Sequence, residues 1–190
     1  MKTLNLGRNG IISYAETTAS EMSMVTMERA LSNNRVLETL DLNGNNLGPE
    51  FMRLLTNGLP ACLKTLKLRD NVLRAAGLRY LSQPLFRKDV SLTALDIGGN
   101  QICAYSVYGK YAISSEGLTV LTNLIRNAHT LRSLDICNNF IGGFWKHANA
   151  KQLAFVPHSE TDLLDMVVAL SEAVSTIKSS ITYPSVSLLY

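Results

Sequence analysis

Along this chain the pattern L-x-x-L-x-L-x-x-N-x-L, with occasional Ile or Met at the aliphatic positions, recurs five times. The copies run Met1-Leu4-Leu6-Asn9-Ile11, Leu37-Leu40-Leu42-Asn45-Leu47, Leu63-Leu66-Leu68-Asn71-Leu73, Leu92-Leu95-Ile97-Asn100-Ile102 and Leu131-Leu134-Ile136-Asn139-Ile141. Within each copy, L-x-L alternates apolar and polar residues, the period of a short half-buried strand with its aliphatic side chains turned inward. The asparagine that follows carries an amide able to donate and accept together. It is therefore expected to satisfy buried backbone groups where the strand ends, and Asn45, Asn71, Asn100 and Asn139 should stack into an internal ladder.

Between copies the period becomes helical. Phe51, Leu54, Leu55 and Leu59 share one helical face, and Leu118, Leu121, Leu124 and Ile125 repeat the arrangement. Gly48-Pro49-Glu50 supplies a proline and an acid to a helix start, where a missing amide costs little and the dipole favours negative charge. Ser114-Ser115-Glu116 opens the later helix similarly, and further helices are expected near 21–32, 75–82 and 161–178. A weak sixth strand is expected at Val186-Ser187-Leu188.

These motifs resemble the leucine-rich repeat family, and specifically its ribonuclease-inhibitor type, in which a full helix forms each return segment. Spacings of 26 residues from Leu40 to Leu66 and 29 from Leu66 to Leu95 match the upper end of that family's repeat lengths. The resemblance implies an α/β solenoid of about five to six repeats forming one domain over 1–190, with a curved parallel sheet on the concave face and helices on the convex face. It implies binding and not chemistry.

Two intervals exceed the repeat length, 39 residues from Leu95 to Leu134 and 52 from Leu134 to the sixth strand. Insertions are expected at about 103–114 and 142–160. The first holds Tyr105, Tyr108 and Tyr111, and the second holds Trp145 and His147. Leaving the solenoid at the same stage of neighbouring repeats, the two should meet on one rim as an aromatic lobe. Aromatic residues on a rigid scaffold suit a partner anchor, or equally a small local core. His147 and His158 lack a Cys or acid at ligand spacing, so no metal is expected.

Alternation also orders the sheet face into columns: Thr39, Thr65, Ala94 and Ser133; Asn5, Asp41, Lys67, Asp96 and Asp135; Gly7, Asn43, Arg69, Gly98 and Cys137. These side chains are expected to face solvent. Of them, Asp41, Asn43, Lys67, Arg69, Asp96 and Asp135 are the expected partner-binding set. The aspartates of L-D-L belong to the family consensus and are not read as a catalytic or calcium cluster.

Charge narrows the partner. A net +3 with Lys and Arg dispersed along the chain gives no basic block, so no nucleic-acid partner is expected. Three cysteines without C-x-x-C spacing indicate neither a disulfide framework nor a zinc site. No apolar run reaches a membrane span and Met1–Tyr14 lacks a secretory apolar core, which leaves a cytoplasmic or nuclear setting as the expectation. No phosphate-cradling loop, nucleophile elbow or metalloprotease helix is present, so no catalytic residue, cofactor or small-molecule substrate is expected.

The chain starts inside a repeat and closes on strand-like residues. Bare solenoid ends are expected to be covered by a longer parent chain, a partner or homo-association. The reading is a non-catalytic interaction module or structural subunit of a larger intracellular assembly. The alternative is a GTPase-activating regulator, because Ran GTPase-activating proteins use this helical repeat type. The cysteine content and two-type alternation of ribonuclease inhibitor itself are absent.

Overall fold

The structure is a computed structural model. It describes residues 1–11, 18–85, 91–107, 110–141, 143–149, 152–157, 160–177 and 186–187. Strand β1 (Thr3–Asn5) is followed by α1 (Thr18–Ser32), β2 (Thr39–Asp41), α2 (Pro49–Asn57), β3 (Thr65–Lys67), α3 (Arg74–Leu85) and β4 (Ala94–Asp96). Then come β5 (Ala104–Val107), β6 (Lys110–Ile113), α4 (Ser115–Asn127), β7 (Ser133–Asp135), β8 (Gly143–Asn149), β9 (Gln152–Pro157), α5 (Glu160–Ile177) and β10 (Val186–Ser187).

Six strands form one parallel sheet in the order β1-β2-β3-β4-β7-β10. Equivalent leucines are in register, with Leu4 opposite Leu40, then Leu66, Leu95 and Leu134. The helices pack pairwise in chain order from α1 to α5. The fold is therefore an α/β leucine-rich repeat fold, each unit a strand, an asparagine turn and a helical return.

The core lies between the two layers. Leu40, Leu42, Leu66, Leu68, Leu78, Leu81 and Leu121 have no exposed surface. Each contributes roughly 1.5–3 kcal/mol by leaving water. Proline at the first turn of α2 follows the Gly48 N-cap, and the Ser114 hydroxyl accepts from the Gly117 N–H to cap α4.

The asparagine ladder is present as expected. Asn71 Oδ1 accepts from the Asn45 and Leu47 amides of the preceding repeat at 3.0 and 2.9 Å. Its Nδ2 donates to the Leu42, Leu68 and Arg69 carbonyls. Asn45 serves Asn9 and Ile11 alike, Asn100 serves Leu73, and Asn139 serves Asn100 and Ile102. Residues beside these asparagines adopt left-handed backbone: Arg8, Gly44, Asp70, Gly99 and Asn138 before them, and Gly10, Asn46, Gln101 and Phe140 after them. Glycine, Asn and Asp tolerate this region best, which accounts for six of the nine.

Both long intervals contain antiparallel hairpins where irregular loops were expected. Strands β5 and β6 pair Tyr105 with Ala112 and Ser106 with Tyr111. Strands β8 and β9 pair Trp145 with Phe155 and His147 with Leu153, with a bulge between His147 and Asn149. Alternating aromatic and β-branched residues favour extended backbone, so these segments pair with themselves. The two ribbons are separate two-stranded sheets. Tyr108 and His158 lie outside the described residues.

Candidate protein-binding surface

The expected columns stand in the observed register: Thr39, Thr65, Ala94 and Ser133 in one row, Asp41, Lys67, Asp96 and Asp135 in the next. Parallel hydrogen bonding continues past the strands, from Gly44 N to Arg69 O, Asp70 N to Gly98 O and Gly99 N to Cys137 O, which carries the third row. The expectation that these side chains simply face solvent is corrected. From Thr39 to Cys137 the outward positions are half-buried, and Gly98 is buried. The cause is that the side chains lie against one another.

Arg69 organises this layer. Its Nε donates to Asp96 Oδ2 at 3.0 Å, Nη1 to Cys137 Sγ at 3.0 Å, and Nη2 to Asp135 Oδ2. The guanidinium thus reaches two strands along the sheet, and it lies flat over Gly98. A Cβ there would sit 2.7 Å from Nη1 and 2.8 Å from Cζ. Glycine makes the space through which the arginine passes.

The aspartates have a second, local task. Asp41, Asp96 and Asp135 each accept through Oδ1 from the amide two residues on, Asn43, Gly98 and Cys137, at 3.0–3.1 Å. This closes a small side-chain turn and explains why the position repeats as Asp. Asn43 Oδ1 accepts from the Arg69 amide at 2.7 Å, so it fixes neighbouring backbone. Lys67 lies 3.5 Å from Asp41 and keeps 44% of its side chain exposed, whereas Arg69 keeps 27%. Lys67 is the accessible cation of the face, and Arg69 is the one bound into it.

Sequence reasoning missed Gly98 and Cys137 as members of this network. The signal for Gly98 was present, a glycine at a row position that carries side chains in repeats two and three. Burial raises the Cys137 thiol above its ordinary pKa, opposed by its contact with Arg69. At neutral pH it is a thiol, so the charge balancing Arg69 belongs to the two aspartates. Cys103 is buried, its thiol pushed up to about 12, which makes it a core residue without thiolate chemistry.

We expect Gly98→Ala to displace Arg69, since the obstructing atoms are the end of a flexible side chain. Arg69→Met removes the same contacts, at a cost of roughly 1–3 kcal/mol. In a double-mutant cycle by denaturant unfolding the two costs should fail to add, the second change being nearly neutral after the first. Simple additivity would show that Gly98 does not act through Arg69.

Just before the strands, Glu38 bridges three repeats. Lys2 Nζ is 2.7 Å and Lys64 Nζ 2.9 Å from its two oxygens. The hydrogen bond from Lys2, then that from Lys64, lowers its pKa to about 2. A carboxylate depressed on folding stabilises above its unfolded pKa and loses that contribution as pH falls through the folded one. The stability difference between wild type and Glu38→Gln should thus be present at neutral pH and vanish as pH falls from about 4.5 towards 2. An unchanging difference in pH-dependent unfolding would contradict this.

Of the expected rim residues, Tyr105 stands in β5, Tyr111 in β6, and Trp145 and His147 in β8. Among the described residues no three His, Cys, Asp or Glu side chains are grouped to hold a metal ion. Among the described residues no helix is long and apolar enough to cross a membrane.

Comparison with known proteins agrees with the architecture. The leucine rich repeat family matches residues 33–50. Protein PAC2 of Saccharomyces cerevisiae is 23% identical over 159 residues, covering 80% of this chain and 29% of that protein. The chain thus spans under a third of the length of that curated relative. Among solved structures, the leiomodin-1 actin-binding site 2 superimposes with a TM-score of 0.57 at 13% identity, over 94% of this chain and 84% of that one. The tropomodulin C-terminal domain of Caenorhabditis elegans gives 0.54 at 12%, over 94% and 87%. At these identities the structural likeness shows the fold alone.

Proposed function

We propose that this leucine-rich repeat protein is a non-catalytic binding module that takes a protein or peptide partner on the concave face of its sheet. The carrying observation is the ordered polar layer from Asp41 to Asp135, tied together by Arg69 yet still reached by solvent. Three carboxylates against two cations leave the face nearly neutral. Such a surface selects by shape and hydrogen bonding, with little long-range steering. Arg69, Asp96 and Asp135 hold the face in shape; Lys67, together with Thr39, Thr65 and Ser133 of the adjoining row, offers the exchangeable contacts.

The β5–β6 and β8–β9 ribbons form the second part of the proposed surface, with Tyr105, Tyr108, Tyr111, Trp145 and His147 as anchors. The helical returns α2, α3 and α4 support a reading of the repeat as the ribonuclease-inhibitor type. Actin binding belongs to the leiomodin site. It supports a protein ligand here only as an example of what this fold can hold.

The test is affinity capture with the wild-type chain and with the β5–β6 ribbon replaced by a short turn, alongside a GTP-hydrolysis assay against a panel of small GTPases. Loss of a captured partner with the ribbon, without accelerated hydrolysis, is the expected outcome. Accelerated hydrolysis would replace this reading with the GTPase-regulator alternative, and unchanged capture would remove the ribbon from the surface.

A further inference from the structure

The sheet has two long edges across the stack, one where the strands begin and one where they end. Along the first, the parallel hydrogen bonding starts one residue before the strands. The Glu38 amide donates to the Lys2 carbonyl at 2.7 Å, and Lys64 to Glu38, Thr93 to Lys64 and Arg132 to Thr93, each at 2.8 Å. Lys2, Glu38, Lys64, Thr93 and Arg132 therefore stand in one row, although successive members are 26 to 39 residues apart in sequence. Cations that are dispersed along the chain are gathered here by the repeat. Arg35 stands in the turn that leads into the row. There Asn34 Oδ1 accepts from the Val36 and Leu37 amides at 2.9 and 2.8 Å, which fixes the turn and leaves Arg35 exposed.

This edge carries one sign of charge. Lys2 and Lys64 share a single carboxylate, Glu38, and keep 75% and 56% of their side chains exposed. Arg35 and Arg132 are exposed, and among the described residues no carboxylate pairs with either. Four cations against one acid leave an excess of three positive charges, as many as the net +3 of the whole chain. The acids of the sheet face do not cancel it. Asp41, Asp96 and Asp135 lie three residues further along the strands, roughly 10 Å away. They are already engaged by Lys67, Arg69 and backbone amides. Such an edge attracts carboxylates or phosphates.

Spacing and surroundings choose between these anions. Lys2, Lys64 and Arg132 precede β1, β3 and β7, every second strand of the sheet, which sets them roughly 10 Å apart. An extended peptide rises about 3.3 Å per residue, so an acid at every third position meets each cation in turn. A nucleic-acid duplex carries a charge about every 1.7 Å along its axis, and cations at this interval would neutralise few of them. Single strands bind where aromatic side chains stack on bases. Residues 32–38, 58–64, 91–93 and 128–132, which line this edge, include no Phe, Tyr or Trp. We propose that the strand-start edge is a docking site for an extended acidic segment of a partner protein, whose carboxylates reach Lys2, Lys64 and Arg132 across the stack, with Arg35 beside them. The edge borders the sheet face, but the proposal does not rest on what binds there.

The test uses a fluorescent synthetic peptide of repeated Glu-Gly-Ser triplets, about 15 residues long, and a matched peptide with Gln for Glu. Binding is read by anisotropy at about 0.1 M salt, where charges more than about 10 Å away are largely screened. Amide NMR shifts on the wild-type chain place the site. The Glu peptide should bind, shift the amides around Arg35, Lys64 and Arg132, and lose about tenfold in affinity against Arg35→Glu/Arg132→Glu. Neither arginine makes an ion pair within the fold, so this variant should remain folded. Arg8→Glu/Arg74→Glu makes the same change of charge at the opposite edge, where both residues are exposed, and should bind within about twofold of wild type. Glu38→Gln releases Lys2 and Lys64 from their shared acid and should tighten binding. The Gln peptide should bind at least about tenfold more weakly. Equal binding of both peptides, equal losses in the two double variants, weaker binding by Glu38→Gln, or shifts confined to other elements would overturn the proposal. So would tighter binding, at the same edge, of a charge-matched oligothymidylate or of phosphatidylserine vesicles, because the occupant would then be a nucleic acid or a membrane. The NMR mapping needs no variant and keeps the test decisive if a variant unfolds.

Discussion

Gly117→Ala is expected to destabilise the protein by roughly 3 kcal/mol, at the upper end of overpacking effects. A Cβ at Gly117 would fall 1.9 Å from the Ile102 carbonyl oxygen, 2.7 Å from its carbon and 2.9 Å from Cys103 Cα. All three are backbone atoms of the turn that leaves the fourth repeat, so no rotamer change relieves the clash. Gly117 also donates to the Ser114 cap at 3.0 Å, and pushing α4 outward would strain that bond. Leu118, Leu121 and Leu124 of α4, which have at most 1% of their surface exposed, would lose packing with it. Denaturant unfolding should show a lower midpoint at unchanged slope. A loss under about 0.5 kcal/mol, the range of ordinary surface substitutions, would mean that the approach is looser than the structure shows.

Asn139→Ala is expected to cost roughly 1–3 kcal/mol for each buried group it strands, and several groups depend on it. Its Oδ1 accepts from the Asn100 and Ile102 amides at 2.9 and 3.3 Å, and its Nδ2 donates to the Ile97, Ile136 and Cys137 carbonyls at 2.8–3.3 Å. Alanine offers none of these, and the site is 1% exposed, so water cannot replace them without opening the turn. Asn9 holds the same motif position but is exposed. Asn9→Ala should cost under about 0.5 kcal/mol. Equal costs at the two sites in parallel unfolding experiments would show that the ladder is not what stabilises these turns.

The scaffold was legible because its determinants are local. L-x-L sets strand faces, the asparagine ends each strand, and Pro49 and Ser114 open helices, all within a few residues of sequence. What was not legible depends on distance along the stack. Arg69 meets Asp135 across 66 residues of chain, and only because Gly98 leaves room between them. Alternation says that a side chain points outward, but not that a long one will lie down along the sheet and be held there. The hairpins in the long intervals were missed for a different reason. A segment such as Tyr105–Val107 with Lys110–Ile113 has strand propensity, yet short ribbons gain little from backbone pairing alone and read as loops.

These observations divide the molecule by role. Residues that keep the stack together, such as Asn139 and Gly117, should change stability first. Residues that tie the sheet face, Arg69 above all, should change stability modestly and partner binding more. Thr65 and Ser133 stand in the outward row and are half-buried, so they should affect binding alone.

The central claim, that a protein partner occupies the sheet face, is tested most directly by capture with Thr65→Arg/Ser133→Arg set beside wild type and Arg29→Glu, an exposed change on α1. With all three proteins equally folded by circular dichroism, the sheet-face variant should lose the captured partner and Arg29→Glu should retain it. Retention by the sheet-face variant, with the partner lost only on changes in the helix layer, would contradict the account.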